Sequence, residues 1–329
     1  MTQALVVATG PVTEATHKIL ANVARVVVAS DNSEDTLLEF TPGARGFIMR
    51  GDSRLSKGVA AASQFQVIGR SGIGVDGVAI AATSRRRIPV VVTPYAGFDA
   101  IAEGVFGMLL VLVKRLSLLD AMVRSGAWAD RDNAVVGDLN GTTLGIMGLG
   151  RIGRRVVHLA SAFGMHLLAT DPVLAADEIR EAGAELVPLS ELFGRSHHLT
   201  LYPPLQPDAR GIVTGEFLQT AGPGAFLVNL ARGGLIESAD SLFAALDSGP
   251  LAGVGLDVFE PEPPDLSHSL YSDEWVLLSP HTLSLTTRSR HRIFDEMSRG
   301  TLAVLQGGRA ESVGIPNIYE SESEERVTQ

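Results

Sequence analysis

Arg232, Glu262 and His281 are side chains that can bind an anion, carry a charge and move a proton, and each stands just beyond an apolar run. Arg232 closes the run Leu227-Val228-Asn229-Leu230-Ala231 and is followed by Gly233 and Gly234. A guanidinium fixed there is a planar fork that can grip a carboxylate with two hydrogen bonds and polarise a neighbouring carbonyl, a task a lysine does less specifically. Glu262 lies in Asp257-Val258-Phe259-Glu260-Pro261-Glu262-Pro263, a proline-stiffened loop that places it to orient a base. Asp257, at the strand end, could hydrogen-bond a carboxamide or face a cationic ring. His281 follows Ser279-Pro280 directly after the strand Trp275 to Leu278. A carboxylate beside it would favour imidazolium, which can give a proton to a ketone under reduction, and the neutral ring would serve as base in reverse.

A second constellation binds rather than reacts. Gly148-Leu149-Gly150-Arg151-Ile152-Gly153 follows the apolar run Thr143 to Met147 and opens a helical segment. Gly148 suits a tight turn, Gly150 lets backbone approach a pyrophosphate, and Gly153 lets helix and strand pack closely, with the helix N-terminus facing the anion. A further strand, His166 to Thr170, ends at Asp171, where an acid would accept hydrogen bonds from an adenosine ribose and repel a 2′-phosphate. The pattern therefore predicts NAD rather than NADP, although an arginine from another loop could soften that preference.

The elements that must position these residues alternate between strand and helix throughout, which predicts an α/β fold with parallel sheets. In a first block the strand candidates are Leu5 to Ala8, Arg25 to Ala29, Gly46 to Met49, Gln66 to Gly69 and Val90 to Val92. In a second they are Thr143 to Met147, His166 to Thr170, Leu186 to Val187, Leu199 to Leu201, Ala225 to Asn229, Gly253 to Asp257 and Trp275 to Leu278. The chemistry-bearing segments follow strands of the second block, where open α/β sheets place their ligand crevice. Between the blocks, Ala100 to Val123 reads as one long helix, too apolar to lie open to solvent and so expected at a domain or subunit interface.

Composition bounds the rest. The 329 residues are 45% hydrophobic, enough for two packed domains, and 27 basic against 37 acidic residues give a net charge of −10. That balance argues against nucleic acid or an anionic membrane as partner. Arg85-Arg86-Arg87 reads as a solvated helix end. With no cysteine, disulfides, thiolate catalysis and cysteine-ligated metals are excluded. The remaining histidines lack metal-site spacing, so no metal is expected. The start of the chain shows no signal-peptide pattern and no apolar run reaches membrane-spanning length, which leaves a cytoplasmic location as the expectation.

Taken together, these segments resemble the NAD-dependent D-2-hydroxyacid dehydrogenase family, which includes D-3-phosphoglycerate dehydrogenases, hydroxypyruvate reductases and D-lactate dehydrogenases. The resemblance spans nearly the whole chain. It rests on Gly69-Arg70-Ser71-Gly72-Ile73-Gly74-Val75-Asp76, Ala102-Glu103, Gly148 to Gly153, Asn229 to Gly234, Asp257 to Pro263 and Pro280-His281. It implies two doubly wound domains, a Rossmann dinucleotide-binding domain (101–289) inserted into a flavodoxin-like substrate domain (1–100 with 290–317); the acidic tail 318–329 is expected from its composition to be disordered. It implies Arg232, Glu262 and His281 as catalytic residues. The backbone of Ile73 and Gly74 would hold a substrate carboxylate, with Arg50 a further substrate-binding candidate. Gly148, Gly150, Arg151, Ile152, Gly153, Asp171, Tyr202, Pro203, Ala231, Arg232, Asp257 and His281 would line the NAD site. A 2-hydroxy or 2-keto acid substrate and a homodimer built on the Rossmann domain and the 101–123 helix would be usual.

Departures from the family pattern cluster where substrate would sit. After Pro94 this chain has Tyr95-Ala96-Gly97 and then Ala100, and after His281 it has Thr282-Leu283-Ser284-Leu285, which is expected to bring bulk near the active site. Tyr202 stands where histidine is frequent, and Gly77 replaces a common asparagine. The same family includes NAD-sensing corepressors, so a catalytically silent binding module is the alternative to a dehydrogenase.

Overall fold

The computed structural model describes residues 3–51 and 53–313, so the acidic tail lies outside the described residues. Two compact units emerge, Met1–Gly97 with Leu285–Gln329, and Phe98–Ser284.

In the first unit, β1 (Ala4–Ala8), β2 (Ala24–Val28), β3 (Ala44–Met49), β4 (Val67–Arg70) and β5 (Val90–Val91) form a parallel sheet in the order β2-β1-β3-β4-β5. Both faces are covered, which is why β3 and β4 read as near-continuous apolar runs. One face packs Phe47, Met49 and Ile68 against Leu37, Val59 and Ala82 of the intervening helices. On the other, Val6, Ala8 and Ile48 meet Leu20 together with Phe294 and Met297 of the helix Thr287–Leu305. This is the flavodoxin-like strand order.

In the second unit, β6 (Thr143–Met147), β7 (His166–Thr170), β8 (Glu185–Leu186), β9 (His198–Leu201), β10 (Ala225–Asn229), β11 (Leu251–Leu256) and β12 (Val276–Leu278) are all parallel, in the order β12-β11-β10-β9-β6-β7-β8. This is the Rossmann order with a seventh strand added, and its direction reverses between β6 and β9, the place where such sheets bind ligands beyond their carboxyl ends. The helices Phe98–Val113 and Arg151–Ala162 cover one face. Leu192, Phe193, Leu218 and Leu242 cover the other. The fold class expected from the sequence is the one observed, and β6, β7 and β10 have the expected bounds.

The single helix expected over Ala100 to Val123 is a correction. Two helices stand there, Phe98–Val113 and Leu116–Ser125, because Arg115 takes φ 51° in the left-handed region and its guanidinium lies 4.1 Å from the centre of the Trp275 ring. The first is deeply buried, with Val105, Met108, Leu109 and Leu112 in the core. The second has no buried residue. Among the described residues, no helix is long and apolar enough to cross a membrane.

Candidate active site

The glycine turn leaves β6 and enters the helix Arg151–Ala162. Gly148 has φ +89°, a conformation that L side chains rarely adopt. Gly153 lies against the turn so closely that a Cβ there would be 2.3 Å from the Gly148 carbonyl oxygen. At Gly150, the N-cap, a Cβ would meet nothing within 4 Å, and no side chain caps the helix. Helices beginning after Thr13, Ser33, Ser56, Thr214, Ser238 and Thr286 are capped by those side chains. An N-terminus with no side-chain cap, open space at Gly150 and a positive dipole fits a dinucleotide pyrophosphate. Arg151 and Ile152 are the first residues of that helix. Tyr202 and Pro203, just after β9, close the turn from the other side, their backbone 3.2 Å from a Cβ built on Gly148.

Asp171 stands beyond β7. Its Oδ2 accepts the N–H of Leu149 at 2.8 Å, and its Oδ1 accepts those of Val173 and Leu174 at 2.9 and 3.2 Å. The acid thus holds the glycine turn while presenting negative charge beside it. The Tyr202 hydroxyl turns inward to Thr200 Oγ1 at 2.7 Å, and burial, partly offset by that bond, raises its pKa.

Arg232, Glu262 and His281 come from the neighbouring strands β10, β11 and β12. Asn229, fully buried at the end of β10, braces the arginine turn: its Oδ1 accepts the Ala231 N–H at 3.0 Å and its Nδ2 donates to the Arg232 carbonyl at 2.8 Å. Arg232 Nη1 donates to the Ala231 carbonyl at 2.6 Å. Glu262 is held at both oxygens. Oε1 accepts the Phe259 N–H at 3.0 Å, and Oε2 lies 3.0 Å from His281 Nδ1. Burial is the largest influence on Glu262 and pushes its pKa up, but the bonds from His281 and Phe259 and the charges of His281 and Arg232 outweigh it, so the carboxyl stays below the usual glutamate range. The Arg232 charge thus favours the ionised form of Glu262. The arrangement is an ionised carboxylate locked to one imidazole nitrogen, with the other nitrogen turned away from it and a guanidinium at hand, which can deliver a proton to an oxygen beside a bound anion.

Asp257 is buried at the end of β11 and accepts the N–H groups of Thr282 at 2.9 Å and Leu283 at 3.3 and 3.4 Å. Burial raises its pKa, against bonds from Ser279, Thr282 and Leu283 and the charge of His281. Its carboxylate is engaged with the turn that carries His281. Of the Thr282-Leu283-Ser284-Leu285 segment expected to bring bulk near the active site, Leu283 is partly buried and packs against the core of the second unit, while Leu285 is exposed.

In the first unit, the loop after β4 carries Ile73 and Gly74. The Arg70 Nε donates to the Gly74 carbonyl at 3.0 Å, while the N–H groups of Ile73 and Gly74 enter no hydrogen bond among the described residues. Arg50 lies at the end of β3, its guanidinium 5.1 Å from the centre of the Phe294 ring. Gly77 has a local reason: a Cβ there would lie 2.7 Å from the Ser53 carbonyl oxygen.

Residues 106–282 match the family model described as D-isomer specific 2-hydroxyacid dehydrogenase, NAD binding domain. The chain belongs to this family. Among D-2-hydroxyacid dehydrogenase relatives, it is 35% identical to a D-3-phosphoglycerate dehydrogenase of Methanocaldococcus jannaschii over 95% of this chain and 60% of that one. It is 34% identical to a D-3-phosphoglycerate dehydrogenase of Rattus norvegicus over 88% of this chain and 54% of that one. The chain thus spans little more than half the length of these curated relatives. A solved glyoxylate reductase from Paecilomyes thermophila superposes with TM-score 0.87 at 25% identity, covering 96% of this chain and 99% of its own.

Sequence reasoning gave no role to Asn229 or to Phe259. An asparagine ending an otherwise apolar strand was the available signal for the first, since such a side chain is unfavourable in a core unless it braces a turn. The Phe259 contribution is a backbone N–H and leaves no mark on residue type.

Proposed function

We propose that this chain is an NAD-dependent D-2-hydroxyacid dehydrogenase that interconverts a 2-hydroxy acid and its 2-keto acid. The observation that carries the reading is the 3.0 Å contact between His281 Nδ1 and Glu262 Oε2, because proton transfer needs a carboxylate locked to an exposed imidazole and nucleotide binding alone does not, although NAD-sensing corepressors of the family can retain the pair. When bound, the nicotinamide supplies or takes the hydride. Arg232 binds the substrate carboxylate and polarises the carbonyl. His281 gives its proton from Nε2 to the carbonyl oxygen during reduction and takes it back during oxidation, and Glu262 keeps the ring oriented and its cationic form stabilised. The unengaged N–H groups of Ile73 and Gly74 are suited to a carboxylate, and Arg50 is the cation assigned to a further anionic group on the substrate.

The Asp171 charge beside the glycine turn supports NAD over NADP. A homodimer is part of the same reading. Leu116, Val123, Trp128, Val135 and Val136 are exposed apolar side chains of the second unit, with Val123 60%, Trp128 62% and Val135 78% exposed, and a second copy of the chain covers them.

The test is NADH oxidation at 340 nm with glyoxylate, hydroxypyruvate, phosphohydroxypyruvate, pyruvate and bulkier 2-keto acids, repeated with NADPH and with His281→Ala. Turnover that needs His281 is the expected result. Silence across the panel with measurable NADH binding would overturn the enzyme reading in favour of an NAD-sensing module.

A further inference from the structure

Leu283 follows His281 by two residues, and its partly buried side chain packs against the apolar core of the second unit. There it meets two segments at once. A Cβ built on Gly104, in the helix Phe98–Val113, would lie 3.0 Å from Leu283 Cβ and 3.0 Å from Leu230 Cδ2. Leu230 is itself buried and stands two residues before Arg232. Glycine inside a helix is destabilising relative to alanine, so its presence at 104 needs a reason, and the socket it leaves for these two leucines supplies one.

The backbone of the same turn is also held by Asp257, through the N–H groups of Thr282 and Leu283. Between these anchors His281 adopts φ 52°. A non-glycine residue persists in that left-handed conformation only where its surroundings over-determine it. Asp257 constrains the peptide planes beyond His281, but hydrogen bonds to two successive amides still allow the turn to pivot about them. The Leu283 side chain limits that freedom, because Leu283 Cβ and Leu230 Cδ2 border the same space over Gly104, and so it refers the position of the His281 ring to the segment that carries Arg232.

We infer that Leu283 is a positioning residue, which together with Asp257 clamps the His281 turn against Leu230 in the Gly104 socket and sets the imidazole in register with Arg232. The inference rests on the proposed function only in taking that imidazole as the proton donor.

Hydrogen–deuterium exchange over residues 279–285 of the full chain, compared among the wild type, Leu283→Ala and Leu283→Met, tests the clamp without reference to activity. The amides of residues 282 and 283 are expected to exchange roughly tenfold faster in Leu283→Ala and near the wild-type rate in Leu283→Met, with the rest of the second unit unchanged. In keto acid reduction kcat is expected to fall roughly 10–100-fold in Leu283→Ala while KM for NADH stays put, with recovery in Leu283→Met. Unaltered exchange at 282 and 283 would overturn the clamp. Faster exchange with unaltered kcat would overturn its positioning role. If Leu283→Ala does not fold, Leu283→Val and Gly104→Ala, which crowds the socket instead of emptying it, carry the same two readouts. A wild type that reduces no keto acid would remove the functional reading, while exchange still decides the clamp.

Discussion

Gly233 rests directly on the backbone of Phe259: a Cβ at position 233 would lie 2.1 Å from the Phe259 carbonyl carbon and 2.6 Å from the Glu260 nitrogen. The residue after the arginine therefore touches the loop that carries Glu262, and only a hydrogen in place of a side chain permits that approach. Gly233→Ala is expected to displace the Phe259 N–H from Glu262 and to lower kcat/KM roughly 100-fold or more. A stopped assay with circular dichroism on the same sample checks this, and near-normal turnover in a folded variant would show that the loop yields freely.

Glu262→Gln removes the charge and keeps the shape. Because the folded carboxyl is held below the ordinary glutamate range, the contacts of the ionised form contribute stability above that range and lose it as pH falls through the depressed folded value. The neutral amide no longer offers His281 Nδ1 a charged acceptor, so kcat/KM for keto acid reduction is expected to fall roughly 10–100-fold. Steady-state kinetics on the folded variant check it. Unaltered kcat/KM removes Glu262 from that role.

Asp171→Ala is expected to lower the ratio of kcat/KM for NADH over NADPH by an order of magnitude or more, by removing the charge that opposes a 2′-phosphate. It also frees the Leu149, Val173 and Leu174 N–H groups, so NADH binding itself should weaken. Paired titrations of both cofactors by fluorescence separate the two effects.

His198 is buried in β9 with no hydrogen-bond partner for either ring nitrogen among the described residues, and burial, followed by the charge of His197, pushes its pKa from 6.5 to about 4. Between those values the unfolded chain binds a proton that the folded chain refuses, so this residue makes stability fall as pH drops from 6.5 toward 4. His198→Leu is expected to show a smaller loss of Tm between neutral and mildly acid solution than the wild type. Parallel melts that keep the same pH dependence would exclude His198 as its source.

Val123→Glu places a charge at an exposed apolar position of the helix Leu116–Ser125. A wild type that sediments as a dimer and a variant that sediments as a monomer are the expected outcomes, because burying an unpaired carboxylate in an apolar interface is costly. Identical sedimentation of the two would place the interface elsewhere.

Much of this was written in the chain itself. The strands β6, β7 and β10 are legible because parallel strands covered on both faces are apolar throughout, and Gly148, Gly150 and Gly153 are legible because a tight turn, an open approach and a close helix contact each demand the absence of a side chain. Arg232, Glu262 and His281 could be picked out for the same kind of reason, since charge and proton transfer need particular residue types. What required tertiary structure was everything settled by the partner rather than by the residue. The helix read across Ala100 to Val123 breaks at Arg115, whose left-handed backbone accompanies a guanidinium stacked on Trp275, 160 positions further along the chain. The type of Leu283 says only that it is apolar, and the fold is what brings it beside Gly104 and Leu230. The Phe259 N–H on Glu262 and the Asp257 carboxylate on the His281 turn belong to the same class: residue type sets which groups can bond, and the folded path of the chain sets which of them meet.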